Sequence, residues 1–167
     1  MPVKFKLNLP SNLWTQQDSV ILGQNTLAQI KIRTGKGIDA NGQLFADYST
    51  NPIYIQKKGA GLKPKGGRPT RSGDSVFYEG GYAQYKHESR RRGQGGESAE
   101  VDLVLSGNML NNFVVTEASD TGFKLGLTNQ APYGYSVNQD REFIGLTDGE
   151  VDVLVKAFEI DLKRKLQ

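Results

Sequence analysis

The chain carries a single histidine, His87, and it stands beside a carboxylate, Glu88. An imidazole oriented by a carboxylate is the heart of general-base chemistry, and with a nearby hydroxyl it could activate a nucleophile. Adjacent residues of an extended segment point to opposite sides, however, so this pair cannot share a hydrogen bond there. The serines are scattered and no Gly-x-Ser-x-Gly elbow occurs. The plain reading of His87 is an exposed polar side chain. Lys63-Pro64-Lys65-Gly66-Gly67 offers cations and glycines to a phosphate. It lacks the Gly-x-x-x-x-Gly-Lys-Ser/Thr spacing, follows no buried strand, and meets Pro69 where a helix would have to begin. Asp140 and Glu142 flank Arg141 and read as surface charge or an ion pair rather than a metal or glycosidase site. The absence of cysteine excludes thiolate-bound zinc, iron–sulfur ligation and disulfides, and one histidine argues against a histidine cage. The expectation is a protein with no catalytic residues, no metal and no cofactor.

The chemistry that remains is charge. Residues 57–92 hold ten Lys and Arg against three Asp and Glu, and half of the twenty glycines fall between Gly59 and Gly96. The rest of the chain is slightly acidic, so the net charge of +3 hides an uneven distribution. Lys57, Lys58, Lys63, Lys65, Arg68, Arg71, Arg90, Arg91 and Arg92 are the candidate contact residues. Three readings of this segment stand side by side. Its cations, with Tyr78, Tyr82 and Tyr85 nearby, could track a phosphate backbone and stack on bases. It could instead dock on acidic surfaces of partner proteins and order on assembly. Or it is a solvated flexible loop.

The elements that must carry this segment are legible in part. A length of 167 residues, 37% of them hydrophobic, suits one domain with a real core. No apolar run approaches the roughly 18–20 residues needed to span a bilayer, and Met-Pro-Val-Lys-Phe-Lys lacks the apolar core expected of a signal peptide. Val3–Leu7 alternates as a strand. After Pro10, Ser11 or Asn12 is the expected N-cap of a helix from Leu13 to Arg33, with Gly35 as its left-handed stop and a possible kink at Gly23. Asn41-Gly42 marks a turn. No periodicity is found over 57–75, and an extended arm or β-hairpin is expected to project across about 57–97. At ~3.3 Å per residue, half of the 57–74 stretch could reach roughly 30 Å outward. Val101–Leu105 reads as a strand, 106–112 as a single helical turn, and 113–116 with 122–127 as a β-hairpin. Thr147-Asp148-Gly149-Glu150 is a capping box for a closing helix whose Val151, Leu154, Val155, Phe158 and Leu162 share one face. The class is α+β: an antiparallel sheet, long N- and C-terminal amphipathic helices, and a long basic loop or hairpin arm.

Three stretches carry a resemblance. Thr34-Gly35-Lys36-Gly37-Ile38-Asp39-Ala40-Asn41-Gly42-Gln43-Leu44-Phe45-Ala46-Asp47-Tyr48-Ser49 resembles the G-x-D-x-x-G-x-x-F-x-x-Y-S stretch of the virion morphogenesis and tail-completion (neck) proteins of tailed bacteriophages. Val101-Asp102-Leu103-Val104-Leu105-Ser106-Gly107-Asn108-Met109-Leu110 is similar to that group's V-D-L-x-L-(S/T)-G-x-M-L, and Arg141–Asp148 to its R-x-F-(L/I/F)-G-L-(S/T). The intervening Ala131–Gln139 keeps the tyrosine and glutamine of the family's Y-A-x-x-H-Q-x-G but not its histidine. The resemblance implies structural jobs. Gly35, Gly37 and Gly42 would make tight turns, Phe45 and Tyr48 would anchor the loop, Ser106-Gly107 would lead into a helical turn, and Arg141 would fix a crossing before Phe143. It implies a non-enzymatic protein of the virion neck or tail, made in the host cytoplasm and joining head to tail as a ring of identical copies. Other tail, neck or connector proteins would be its neighbours, with DNA contact in the lumen possible and no membrane partner. A nucleic-acid-binding module remains the alternative.

Overall fold

The computed structural model describes residues 3–6, 13–60, 62–90 and 101–167. The chain divides into two compact units, a framing unit (Met1–Phe45 with Asn108–Gln167) and a unit central in sequence (Ala46–Gly107). Both mix helices with antiparallel strands, and the α+β class holds.

In the framing unit, β1 (Val3–Lys6), β6 (Gly122–Leu127) and β5 (Phe113–Ser119) form a sheet in the order β1-β6-β5. The expected hairpin is β5–β6, and its strands run longer than the sequence pattern shows because Ala118 and Ser119 also pair. The N-terminal helix is α1 (Gln16–Gly35), and its N-cap is Thr15 rather than Ser11 or Asn12. Thr15 and Asp18 form a reciprocal capping box, which satisfies two backbone donors of the first turn; Ser11 and Asn12 lie outside the described residues. The left-handed residue after the helix is Gly37 (φ 76°), two positions beyond the expected Gly35. Gly23 is a contact surface: a Cβ there would lie 3.1 Å from Phe123 and Val115, so its absence lets α1 approach the sheet. The core of this unit holds Trp14, Leu22, Ile30, Phe113, Phe123, Leu125 and Phe143. Two shorter helices, α3 (Asn108–Asn111) and α4 (Gly134–Asp140), precede α5 (Asp148–Lys165), whose Thr147–Glu150 capping box is formed.

The central unit holds β2 (Ile53–Gln56), β3 (Arg68–Pro69) and β4 (Ser75–Tyr78) in the order β2-β4-β3, followed by α2 (Gly81–Ser89). A hairpin is therefore present in the basic segment, as β3–β4, where it pairs with β2 inside a compact unit; residues 91–97 of the expected arm lie outside the described residues. Val76, Tyr78 and Tyr85 form its core, with Ile53, Ile55, Tyr82 and Leu105 against them. Val101–Leu105 is not a strand. The Asp102 carboxylate accepts the Val104 N–H at 3.0 Å, a tight turn that puts Leu103 in the left-handed region (φ 52°) and ends any extended run.

Candidate interaction surface

The basic residues separate into two populations. Lys57, Lys58, Lys63, Lys65, Arg68 and Arg71 are exposed on the central unit. Lys57 and Lys58 follow β2, and the Lys57 N–H donates to the Asp74 carbonyl at 2.9 Å. That bond brings them to the same end of the sheet as the β3–β4 connection, which holds Arg71. Arg68 lies in β3 and pairs with Glu79 at 3.1 Å, both side chains in water. Arg90 is different: it lies at the end of α2, its side chain 10% exposed, and binds Asp102 at 2.6 Å. Its guanidinium is committed to a buried carboxylate within the unit. Arg91 and Arg92 lie outside the described residues.

The buried charges of the central unit centre on Asp102, within the stretch whose pattern reads as a strand. Lys86, 5% exposed, binds its Oδ1 at 2.5 Å. The same ammonium donates to the Tyr48 hydroxyl at 2.7 Å and sits 4.2 Å from that ring's centroid. Burial by itself would raise the Asp102 carboxyl. The hydrogen bond and charge of Lys86, the Val104 N–H and Arg90 outweigh it, and the pKa falls below its ordinary value. The tyrosines proposed as base-stacking groups serve the interior instead: Tyr78 is 0% and Tyr85 2% exposed.

Those hydroxyls explain the glycine-rich stretch. Tyr85 OH donates to the Leu62 carbonyl at 2.9 Å and Tyr78 OH to the Lys65 carbonyl at 2.7 Å. Ser89 Oγ accepts the Lys65 N–H, and Glu88 accepts the Gly67 N–H at 2.8 Å. Gly67 has φ 58°, and a Cβ there would come within 2.7 Å of Val76. Gly67 is present for backbone conformation and close approach, and residues 62–67 are tied to the core of the unit by these bonds. Glu88 also accepts from Gln84, which leaves it committed away from the exposed His87.

The family-like stretches also have backbone roles. Asp39 accepts the N–H groups of Asn41 and Gln43, each at 2.8 Å, and Gly42 (φ 79°) completes that turn. Phe45 is buried, as is Phe143. The 37–45 and 141–148 stretches meet: the Ala40 N–H donates to the Glu142 carbonyl at 2.7 Å. Arg33 also ties this crossing: it donates to the carbonyls of Phe143 (2.8 Å) and Gly145 (3.2 Å) and pairs with Glu150. Gly107 (φ 81°) leads into α3.

Closing helix α5 is less covered than its stripe suggests. Leu154 is buried and Phe158 meets Trp14 with ring centroids 4.9 Å apart, yet Val151, Val153, Val155 and Ile160 face solvent. Ile21 and Ile32 of α1 are exposed as well. A second exposed feature crosses the central sheet. Tyr54, Phe77 and Arg68 are cross-strand neighbours on β2, β4 and β3. The alternation of Ile53-Tyr54-Ile55-Gln56 and Ser75-Val76-Phe77-Tyr78 was the available signal for these two strands. Among the described residues no cluster of acidic or histidine side chains is placed to hold a metal ion, and no helix is long and apolar enough to cross a membrane. Comparisons with protein-family models, curated proteins and solved structures return no match.

Proposed function

We propose that the chain is a structural protein of a tailed-phage neck or tail, assembling through subunit–subunit contacts. The observation that carries this reading is the closing helix, which leaves Val151, Val153, Val155 and Ile160 exposed while burying Leu154. Apolar side chains on one well-capped helix are surface that a neighbouring subunit can cover. The three motifs, whose residues make turns and a latch rather than chemistry, support the same reading. In a ring the interface is heterologous, one patch meeting a different patch on the next copy until closure. The test is native mass spectrometry with electron microscopy of particles carrying labelled subunits. The parent should form a closed oligomer and localise to the neck or tail, and Val153→Asp with Ile160→Asp should yield folded monomers. A parent that stays monomeric and never enters particles overturns the reading.

The second reading, a nucleic-acid-binding module, draws on the exposed Lys57, Lys58, Lys63, Lys65 and Arg71. Phosphate contacts from such residues would give log affinity that falls steeply with log salt.

A further inference from the structure

We propose that the outer face of the β2-β4-β3 sheet is a stacking site for the bases of single-stranded nucleic acid, built from Tyr54, Phe77 and Arg68. The proposal rests on the second reading above and goes beyond it, from phosphate attraction to a defined base platform. Strands present successive side chains to opposite faces. Here Ile53, Ile55, Val76 and Tyr78 turn to the core, which places Tyr54 and Phe77 on the other face. Tyr54 is 67% exposed, and its ring centroid lies 4.9 Å from that of Phe77. The Arg68 guanidinium lies over the half-buried Phe77 ring, 5.2 Å from its centroid, so Tyr54 carries the open face of the row. One row thus crosses all three strands, two aromatic rings closed by a planar cation.

A tyrosine so exposed gains little for the fold, since its ring stays largely in water. Its chemistry suits a flat π-surface arriving from solvent, and a guanidinium plane at the end of the row can stack on a base or hold a phosphate. Charge complementarity selects the occupant. Lys57, Lys58 and Arg71 lie at one end of this sheet, a cationic border for a polyanion. Glu79, paired with Arg68, is the carboxylate that a phosphodiester would have to displace. Duplex DNA hides its base faces, so the ligand class is single-stranded.

Fluorescence anisotropy of labelled oligothymidylate of about 16 nucleotides, at about 50 mM salt, tests this directly. The parent should bind the single strand more tightly than a matched duplex or an abasic strand of equal charge. Tyr54→Ala should weaken single-strand binding roughly 5- to 100-fold, and Tyr54→Phe should restore it. Glu79→Gln should tighten binding by freeing Arg68, while Tyr133→Ala, an exposed tyrosine of the framing unit, should change nothing. Equal binding of the abasic strand, or an indifferent Tyr54→Ala, overturns the platform and leaves phosphate attraction standing. Absence of binding by the parent overturns both. If Tyr54→Ala instead reduces only self-association, the face is a protein contact and the proposal fails. Tyr54 lies outside the core, and unchanged circular dichroism and thermal midpoint would verify that the variant is folded; Arg68→Ala gives an independent second variant.

Discussion

The two units solve the same problem with different materials. The framing unit surrounds Phe113, Leu125 and Phe143 with long elements, and its polar ties, Asp39 at one turn and Arg33 at the crossing, sit at the margin of that larger apolar core. The central unit is smaller and buries less apolar surface, so polar groups of its core do the holding. Tyr78 and Tyr85 present rings to the core and hydroxyls to the 62–65 backbone, and Asp102 gathers Lys86 and Arg90. The difference teaches that a basic, glycine-rich stretch need not be an arm. Where tyrosines and one carboxylate can reach its carbonyls and cations, it becomes the wall of a small fold.

The contrast can be broken by substitution. Asp102→Asn should have the largest effect, about 3–5 kcal/mol, because two buried cations lose their carboxylate. Hydrogen exchange should register the loss in α2 and the 62–67 stretch first; equal loss in β5 and β6 would mean that the units unfold as one. Phe143→Ala should cost a similar 3–5 kcal/mol by leaving a cavity, with the pattern of protection loss reversed. Tyr85→Phe should cost about 1–3 kcal/mol in denaturant melts, since the Leu62 carbonyl and N–H lose their partner. An unchanged midpoint would refute the strapping role. Acid should sharpen the comparison. The lowered pKa of Asp102 contributes stability that is complete above the ordinary carboxylate range and is lost as pH falls through the folded-state value. Protection of the central unit should therefore decline in acid, and Asp102→Asn should flatten that decline. The smallest effect belongs to the exposed Arg68–Glu79 pair: Glu79→Gln should alter stability by less than about 0.5 kcal/mol.

Legibility followed the range of the interactions. The closing helix was readable because Thr147 and Glu150 cap within one turn, and the β5–β6 hairpin because its partners are close in sequence. The start of α1 was misplaced because several residues there can cap, and which one does depends on where Trp14 packs: its indole N–H donates to Ser19 at 2.8 Å, just inside the helix. Strands β2 and β4 carried alternation but only four residues each, too few to stand out beside a glycine-rich neighbour. Among the candidate contacts, the cationic character of the segment was plain, and the fate of each cation was not. Arg68 and Arg90 look alike in the sequence, yet one lies in water beside Phe77 and the other binds a buried carboxylate.

Residue type and local spacing by themselves determined the α+β class, the capped closing helix, the glycine turns and the concentration of positive charge. Those depend on backbone sterics and on contacts a few residues apart. Tertiary structure alone decided that the basic segment folds around tyrosines, that Asp102 leaves a strand pattern to neutralise Lys86 and Arg90, and that Tyr54 and Phe77 share the outer face of one sheet. The reason is that a charge or a ring gains its role from what surrounds it, and partners 16 or 38 positions away in the chain meet only once the backbone has closed on itself.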